Sequence, residues 1–365
     1  MDTLTHALSG ALIGRATAPR HESADTLPAG RRMFVGALAA AFPDLDFITS
    51  YLTPLSYLYN HRGITHSLLL LPVWALLLSF VFAAIWRRRR TRDAAVEARN
   101  RAPSWRAYFG IAAYGIAAHI AGDLITSFGT MIFAPVSDAR YALSATFIID
   151  PWFTGLILVG LAACALWRSS RLPAAIGLAV LAGYVALQFV LQQRAIDFGE
   201  QYVREKGIQH AIVTAQPRPV SPFNWTVMVA EPERYTYAHV NLIRKVPRPE
   251  PDGRSGFIER LDAPYRPLSQ AMWVRLERYG SAREDAALAR EAYVQPAFSF
   301  FRWFAAYPVV LNVERGNPER CVWFHDLRFA TPGRDNMPFR YGMCREGEGA
   351  WAPFQMLGAG KRAVY

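Results

Sequence analysis

The chain has 365 residues, of which 52% are hydrophobic and only 19% are charged, and its mean hydropathy is +0.08. This balance is too apolar for an ordinary soluble enzyme and too polar for a pure transporter. The apolar stretches all lie before about residue 191, and the remainder is long enough for one soluble domain with its own core. We therefore expect two domains, with residues 1–194 in the membrane and residues 195–365 outside it.

The formal net charge of +11 comes from arginines that cluster beside the apolar segments. Such clusters are typical of membrane topology and of attraction to anionic lipid head groups. We therefore expect the lipid bilayer, and not nucleic acid, as the partner. The first six residues, Met-Asp-Thr-Leu-Thr-His, lack the basic region of a cleavable signal peptide, so this segment is expected to be retained.

The first two apolar segments are short. Leu4–Ala18 contains about fifteen residues, fewer than a full span needs, and the run Met33–Phe42 is followed by Pro43, which should break the helix. Non-helical backbone at membrane depth occurs only where protein buries it or where it lines a wet cavity. We therefore expect Asp44 and Asp46, directly after this proline, to face such a cavity.

Four longer apolar segments follow, and the basic connections between them predict their orientation. The segments are Leu68–Trp86, Tyr108–Ile125, Pro151–Trp167 and Leu172–Leu191. The first is the clearest span, and it should stop at the four arginines of residues 87–90. Under the positive-inside rule, residues 15–32, 87–106 and 168–171 are cytoplasmic, and everything after about Arg194 is extracytoplasmic. The expected membrane domain is mainly α, with about five to six helices, some of them short.

Polar side chains interrupt these apolar segments, where each unpaired one is energetically costly and marks a functional site. The stretch from His61 to His66 precedes an apolar helix, and the i, i+4 spacing of His119 and Asp123 puts both on one helix face. The predicted topology places all such groups on the extracytoplasmic side: His6, Asp44, Asp46, His61, His66, His119, Asp123 and Asp150.

Imidazoles and carboxylates in this combination indicate a site for a divalent metal, with zinc first and manganese if oxygen ligands dominate. The expected ligands are His66, His119 and Asp123. His61 and His6 either complete the ligand set or hold a second metal. A helix-end histidine is otherwise usually a hydrogen-bonded structural residue, and it is the convergence of these groups that favours the metal site.

Three further residues are candidates for catalysis. Asp44 and Asp46 either bind the metal, orient a histidine or act as a base. Arg62 suits a phosphate oxygen, because guanidinium binds it through two hydrogen bonds. The histidines outside these motifs are expected to be structural: His21, His210, His239 and His325.

After about residue 195 the pattern becomes one of strands and predicts a soluble α+β domain with an antiparallel sheet. Tyr235–Ile243 alternates apolar and polar residues, and Pro308–Val313 is expected to pair with Val322–Phe329. Ser281–Glu284 predicts a capping box that opens a helix of about fifteen residues. The proline- and glycine-rich stretch Arg244–Gly256 is expected to be a loop.

Two of the three cysteines, Cys321 and Cys344, fall in the outer domain. An oxidising compartment permits a disulfide between them, whereas two cysteines on neighbouring strands can also remain free. Cys164 lies in an apolar segment and is not expected to pair.

An ordered set of motifs resembles the bacterial membrane-bound metal-dependent hydrolase family. The motifs are Met1-Asp-x-Leu-Thr-His6-Ala-x-x-Gly10, Pro43-Asp-Leu-Asp46, His61-Arg-Gly-Ile-Thr-His66-Ser67 and His119-x-x-Gly-Asp123 with Thr126 and Gly129. The resemblance covers about half the chain, through Leu191, and touches the outer domain only at Ser221–Trp225. It implies a polytopic protein of the bacterial inner membrane and a divalent-metal hydrolase.

The function expected from these observations is a membrane-embedded metal-dependent hydrolase. It would act on a phosphoester or lipid-linked substrate at the extracytoplasmic face, through a metal-activated water. A metal or ion transporter is an alternative, but its ligands should lie near the membrane midplane and be reachable from both sides. A non-catalytic scaffold with a periplasmic interaction domain is the other alternative, and it predicts no bound metal.

Overall fold

The computed structural model describes residues 1–19, 26–90, 103–316, 318–334, 337–358 and 360–364. His21 and residues 91–102 of the predicted cytoplasmic connection lie outside this part. The chain forms two compact units, Met1–Ile48 with Tyr59–Gln188, and Thr49–Leu58 with Phe189–Tyr365. As predicted, the N-terminal half is helical and the C-terminal part contains antiparallel sheets.

The helices of the N-terminal half enclose apolar cores that come from several elements at once. The helices are α1 Thr3–Ala16, α2 Ala29–Ala41, α3 Pro54–Asn60, α4 Leu71–Arg90, α5 Trp105–Leu124, α6 Pro151–Leu166 and α7 Leu172–Lys206. One core joins α2, α4 and α5 around Val35, Phe82 and Ile111, and another joins α1, α6 and α7 around Leu12 and Ile157.

The α-helix α2 ends at Ala41, just before Pro43, as expected, but the backbone that follows is helical and not irregular. The chain passes from α2 directly into a 3-10 helix, Phe42–Tyr51. Proline is tolerated at the start of a helical segment, because the N–H that it lacks would have no partner there. Together, Ala29–Tyr51 forms a 23-residue helical stretch that is long and apolar enough to cross a membrane. Asp44 and Asp46 therefore lie on a helix.

The expected span Leu68–Trp86 also needs correction. The helix α4 begins at Leu71 and continues through the arginines to Arg90. It has the length and hydropathy of a span only together with Leu55–His66, from which it is bent by 80°. Ser67 lies at this bend, where its Oγ accepts hydrogen bonds from the amides of Leu69 and Leu70, 3.1 and 3.3 Å away. The described residues thus contain two candidate spans, Ala29–Tyr51 and Leu172–Lys206, or three if this bent pair counts as one.

Glycines allow α1, α2 and α5 to pack closely. A Cβ atom on Gly10 would collide with the carbonyl oxygen of Gly36, and one on Gly115 would come within 2.9 Å of the same oxygen. Small residues let membrane helices approach in this way, so that backbone atoms touch. The approach brings the C-terminal end of α2 next to His119.

The C-terminal unit contains two five-stranded sheets. The strands of the first are β1 Ile212–Pro217, β2 Asn224–Ala230, β3 Arg234–Asn241, β4 Arg266–Pro267 and β5 Trp273–Glu277. The second is an antiparallel meander of β6 Pro308–Arg315, β7 Glu319–Asp326, β8 Tyr341–Glu346, β9 Ala352–Leu357 and β10 Gly360–Ala363. The predicted pairing of β6 with β7 is confirmed, and the first sheet also holds one parallel pair, β3 with β4.

The C-terminal unit also contains the helices α8 Phe257–Asp262, α9 Arg283–Val294 and α10 Ser299–Phe304. Two helix boundaries in this half differ from expectation. The predicted capping box is wrong, because α9 begins after Ala282 and has no side-chain cap. The helix α7 does not end at Leu191 but continues to Lys206, since residues 192–206 are mostly good helix formers with i, i+4 contacts such as Gln193 to Asp197. The predicted domain boundary at residue 194 therefore lies inside a helix.

Cys321 and Cys344 stand directly opposite each other on β7 and β8 and form a disulfide. The sequence left a disulfide and two free thiols as equal alternatives, and the structure has the disulfide. The remaining cysteine, Cys164, is buried and free.

The glycine contact between α1 and α2 predicts the effect of adding one methyl group. Gly10→Ala should lower the thermal unfolding midpoint of the detergent-purified protein, because overpacking against a backbone atom costs about 1–3 kcal/mol. Gly110→Ala on α5 is the matched control, since a Cβ atom added there would have nothing within 4 Å. That control should be neutral or slightly stabilising, because alanine is the better helix former. Equal midpoints for both variants would contradict the close packing.

Candidate metal centre

The last two turns of α5 carry two of the predicted ligands. His119 and Asp123 share one face at i, i+4, and both are fully buried. The ring of His6 stacks on that of His119 with centroids 3.7 Å apart, and His6 Cε1 lies 3.1 Å from the position of a Cβ on Gly122. The glycine between the two ligands thus makes room for the histidine of α1.

Asp44 and Asp46 are only two residues apart, yet their carboxylates have different partners. Asp44 Oδ2 accepts a 2.6 Å hydrogen bond from Thr3 Oγ1, and its Oδ1 lies 3.5 Å from Nε2 of His119. Asp46 instead faces the turn of residues 61–66, where its Oδ1 lies 2.8 Å from Nδ1 of His61. A 3-10 helix has about three residues per turn, so positions two apart point in different directions.

The turn that carries His61 and His66 is held by Asp46. Asp46 Oδ2 accepts hydrogen bonds from the Arg62 amide at 3.0 Å and from Thr65 Oγ1 at 3.1 Å. Arg62 has a left-handed backbone with φ of +63°, which is unfavourable for a residue with a side chain. The hydrogen bond to Asp46, and another from Met131 N to the Arg62 carbonyl at 2.9 Å, stabilise this conformation.

Four ligand atoms converge at this point, one from each of Asp44, His66, His119 and Asp123, all within 4.8 Å of one another. The two Nε2 atoms of His66 and His119 lie 2.8 Å apart. Asp123 Oδ2 lies 3.2 Å from His66 Nε2 and 3.5 Å from His119 Nε2. Asp44 Oδ1 lies 3.9 Å from His66 Nε2. A tetrahedral ion with bonds of about 2.0–2.1 Å separates its ligand atoms by about 3.3–3.4 Å, so the observed spacing fits such an ion.

Hydrogen bonds on the far side of each imidazole orient the lone pairs toward this point. His119 Nδ1 lies 2.5 Å from the carbonyl oxygen of Ala40, which can only accept, so His119 donates from Nδ1. His66 Nδ1 lies 3.0 Å from Thr65 Oγ1 and 3.3 Å from Asp46 Oδ2. Because Thr65 gives its own proton to Asp46, His66 also donates from Nδ1. Both Nε2 atoms of neutral imidazoles then present lone pairs to each other, and a cation between them relieves the repulsion.

Asp123 is the most heavily contacted carboxylate of the group. Its Oδ2 lies 2.9 Å from Arg62 Nε, without hydrogen-bond geometry, and its Oδ1 lies 3.1 Å from His6 Nε2 and contacts the nitrogen of Met1. Arg62 also donates from Nη1 to Thr126 Oγ1 at 2.9 Å. Arg62, which the sequence assigned to a phosphate oxygen, therefore lies against a ligand as its counter-ion.

The structure places the remaining predicted residues around the four ligands. His6 contacts Asp123 and His119, and His61 pairs with Asp46, so neither contributes to the group of four. Asp150, which the sequence placed on the same side, caps α6 by accepting hydrogen bonds from the amides of Trp152 and Phe153.

Access to the centre is uneven. His66, His119 and Asp123 are 0% exposed, whereas the side chains of Asp44 and His61 are 12% and 14% exposed. Any small molecule that reaches the centre would therefore approach from the side of Asp44 and His61.

Two partners of the centre were missed in the sequence. Thr3 lies in the first motif but has the common role of a helix-start residue, and only its distance to Asp44 reveals the contact. The Ala40 carbonyl carries no side-chain signal at all. Its position in the last turn of α2, where carbonyls lose their intrahelical partners, is the clue that could have pointed to it.

Comparison with known proteins agrees with the membrane assignment. The family model described as "YdjM inner membrane protein" matches residues 1–195, more than half of the chain. The chain belongs to the YdjM inner membrane protein family. All four converging ligands lie within the part that matches. The predicted inner-membrane character is therefore confirmed at the level of the YdjM family.

One curated relative is the uncharacterized protein YfhP of Bacillus subtilis (strain 168), which is 25% identical over 198 residues. The alignment covers 53% of this chain and 55% of YfhP, so the chain spans about half the length of this relative. No solved structure matches the chain significantly.

The contacts of Asp46 predict that it controls metal affinity without touching the metal. In the wild type, the Arg62 amide and Thr65 Oγ1 both donate hydrogen bonds to Asp46 Oδ2. In Asp46→Asn, an NH₂ group would replace this oxygen and could not accept these bonds. The zinc Kd of the purified protein, measured by competition with a chelator, should weaken about 10- to 100-fold. Asp138→Asn, at an exposed carboxylate, is the control. An unchanged Kd in Asp46→Asn would show that Asp46 does not orient His66.

Proposed function

We propose that this protein is a membrane-embedded, metal-dependent hydrolase that cleaves a phosphoester or a lipid-linked substrate. The observation that carries the proposal is the pair of imidazole Nε2 atoms 2.8 Å apart, each with its Nδ1 facing an acceptor. A buried arrangement of this kind is explained by a cation that both nitrogens bind. Zinc is the first expectation and manganese the second, because two of the four ligand atoms are carboxylate oxygens.

In this proposal His66, His119, Asp123 and Asp44 hold the ion. The ion, when bound, acts as a Lewis acid and lowers the pKa of a water molecule to about 7. Asp44 is the most exposed of the four, so it borders the side from which water and substrate would enter.

The pair Asp46 and His61 is proposed to handle protons beside the ion. Asp46 accepts from His61 Nδ1 at 2.8 Å, which fixes the ring, and His61 is proposed to exchange a proton through Nε2 during the reaction. Asp46 contacts both His61 and His66, so the proton-handling residue and a metal ligand are oriented by one carboxylate.

Arg62 is proposed to contact both Asp123 and the substrate. Its Nε faces Asp123, and its Nη1 donates to Thr126, whereas its Nη2 has no hydrogen-bond partner among the described residues. This NH₂ group would hold an anionic oxygen of the substrate next to the ion.

The site is proposed to face the extracytoplasmic side, because the arginine-rich connections favour a cytoplasmic location for the opposite helix ends. A site among membrane helices favours a lipid or lipid-linked substrate, which can enter sideways from the outer leaflet. The C-terminal unit would then be a periplasmic domain, and its disulfide is of the kind that persists in an oxidising compartment.

Loss of a ligand should remove both the metal and the activity. Detergent-purified wild-type protein should contain near-stoichiometric zinc or manganese by elemental analysis, and should release phosphate from phosphatidate in mixed micelles. His119→Ala and Asp123→Asn should lose the metal and lower turnover about 100-fold or more. His210→Asn is the control, because His210 is exposed and its φ of +59° suits asparagine.

The outcomes separate the three candidate functions. Full metal occupancy in both ligand variants would refute the metal centre and favour a scaffold. Metal that is lost as expected, but without hydrolysis of phosphatidate or of a soluble phosphoester by the wild type, would refute the hydrolase and favour metal transport.

The topology can be tested apart from the chemistry. Alkaline phosphatase fused after Tyr365 should be active in cells, because the C-terminal unit is proposed to be exported. A fluorescent reporter that folds only in the cytoplasm should be dark at the same position. The reverse pattern would refute the extracytoplasmic placement while leaving the metal centre untouched.

A further inference from the structure

A second polar site lies in the C-terminal unit, in a cavity of about 250 Å³. The lining of this cavity contains both polar and apolar side chains. This combination is typical of small-molecule sites, although the volume is below the roughly 300–1,000 Å³ of drug-sized ligands. The polar lining residues include Arg218, Thr226 and His239, and the apolar ones include Met228, Leu327 and Pro332.

Arg218 is a buried cation whose hydrogen-bond partners among the described residues are all neutral. It is 3% exposed, and its Nε donates to Thr226 Oγ1 at 2.6 Å. Nη1 donates to the carbonyl of Arg328 at 3.1 Å, and Nη2 to that of Leu327 at 3.4 Å. A guanidinium has five N–H groups, so these bonds leave two of them for another acceptor.

The charge of Arg218 is not balanced within the described residues, none of which places a carboxylate within 4.0 Å of it. The nearby Asp326 is paired with Arg328 at 2.8 Å and also accepts from the Ala306 amide at 2.8 Å. A buried and unpaired charge is costly, and the usual remedy is an oppositely charged partner. For a guanidinium that partner is an anion.

His239 lies beside Arg218 in the same lining but adds no second charge. Thr226 Oγ1 accepts from Arg218 and lies 2.8 Å from His239 Nδ1. In the tautomer in which the threonine hydroxyl donates to Nδ1, His239 carries its proton on Nε2. Burial, followed by the field of Arg218, lowers the pKa of His239 to about 3, which keeps the ring neutral at physiological pH.

We propose that this cavity binds a small organic anion, whose carboxylate or phosphate head group pairs with Arg218 and whose apolar part contacts Met228, Leu327 and Pro332. The site is separate from the metal centre and does not depend on the proposed hydrolase activity. Its role would be to recognise a ligand in the C-terminal unit, where the sequence pattern assigned His239 only a structural role.

The proposal is tested by calorimetric titration of the full chain in neutral detergent with three compounds of one shape. Benzoate carries a carboxylate, phenylphosphonate carries a non-hydrolysable phosphate analogue, and benzamide is neutral. At least one of the two anions should bind about tenfold or more tightly than benzamide, because an anion makes charge-assisted hydrogen bonds and the neutral amide does not. The tighter anion identifies the head group. Equal binding of all three, or no binding of either anion, would overturn the proposal.

Two variants locate the binding in the cavity. Ala330→Phe should fill it and abolish anion binding without touching Arg218, since Ala330 lines the cavity. Ala287→Phe, the same change at an exposed position of α9, should bind like the wild type. Arg218→Gln should bind benzoate and benzamide equally. Anion binding that persists in Ala330→Phe would place it elsewhere, at the metal centre for example, and would refute the cavity as the site.

Discussion

The N-terminal unit depends on one physical constraint, which is the burial of several charged and polar side chains among apolar helices. Asp123 is the centre of this group, because His6, Arg62, His66 and His119 all lie within 3.5 Å of its carboxylate. None of these groups can be removed without leaving another unpaired in a medium that offers no replacement partner. The elements that bring them together are therefore held by this centre in addition to their apolar contacts.

The backbone around the centre is specialised to satisfy that constraint. Glycines at the α1–α2–α5 contacts let the end of α2 approach until a backbone carbonyl can accept from His119. The change from α to 3-10 geometry after Ala41 turns Asp44 toward the ligands and Asp46 toward the turn of residues 61–66. The left-handed Arg62 allows one residue to bind Asp46 through its amide and Asp123 through its side chain. Local conformations that are unfavourable alone are thus stabilised by several buried contacts each.

The sequence was informative for features that depend on the spacing of residues along the chain. Apolar runs located the helices, and the i, i+4 pair His119 and Asp123 needs only a helix to share a face. The sequence could not separate Asp44 from Asp46, because their directions depend on a 3-10 geometry that Pro43 was expected to exclude. It also missed Arg218, which is one of 40 lysines and arginines, since only the fold shows that this one is buried with no carboxylate beside it in the part of the chain that the structure describes. Patterns reveal periodicity, whereas pairing and burial depend on contacts that are distant in the chain.

A hydrogen-bond network is the alternative to a metal, with one proton shared between His66 and His119. The balance of charges does not separate the two. Asp44, Asp46 and Asp123 carry three negative charges when ionised, against one positive charge on Arg62 and at most one more on the Met1 nitrogen that contacts Asp123. Even in that case a negative charge remains, and one shared proton would neutralise it. That proton would bond only a single pair of nitrogens, whereas a divalent ion would bond to four atoms together. The convergence of four ligand atoms on one point is thus the feature that favours a metal over a hydrogen-bond network.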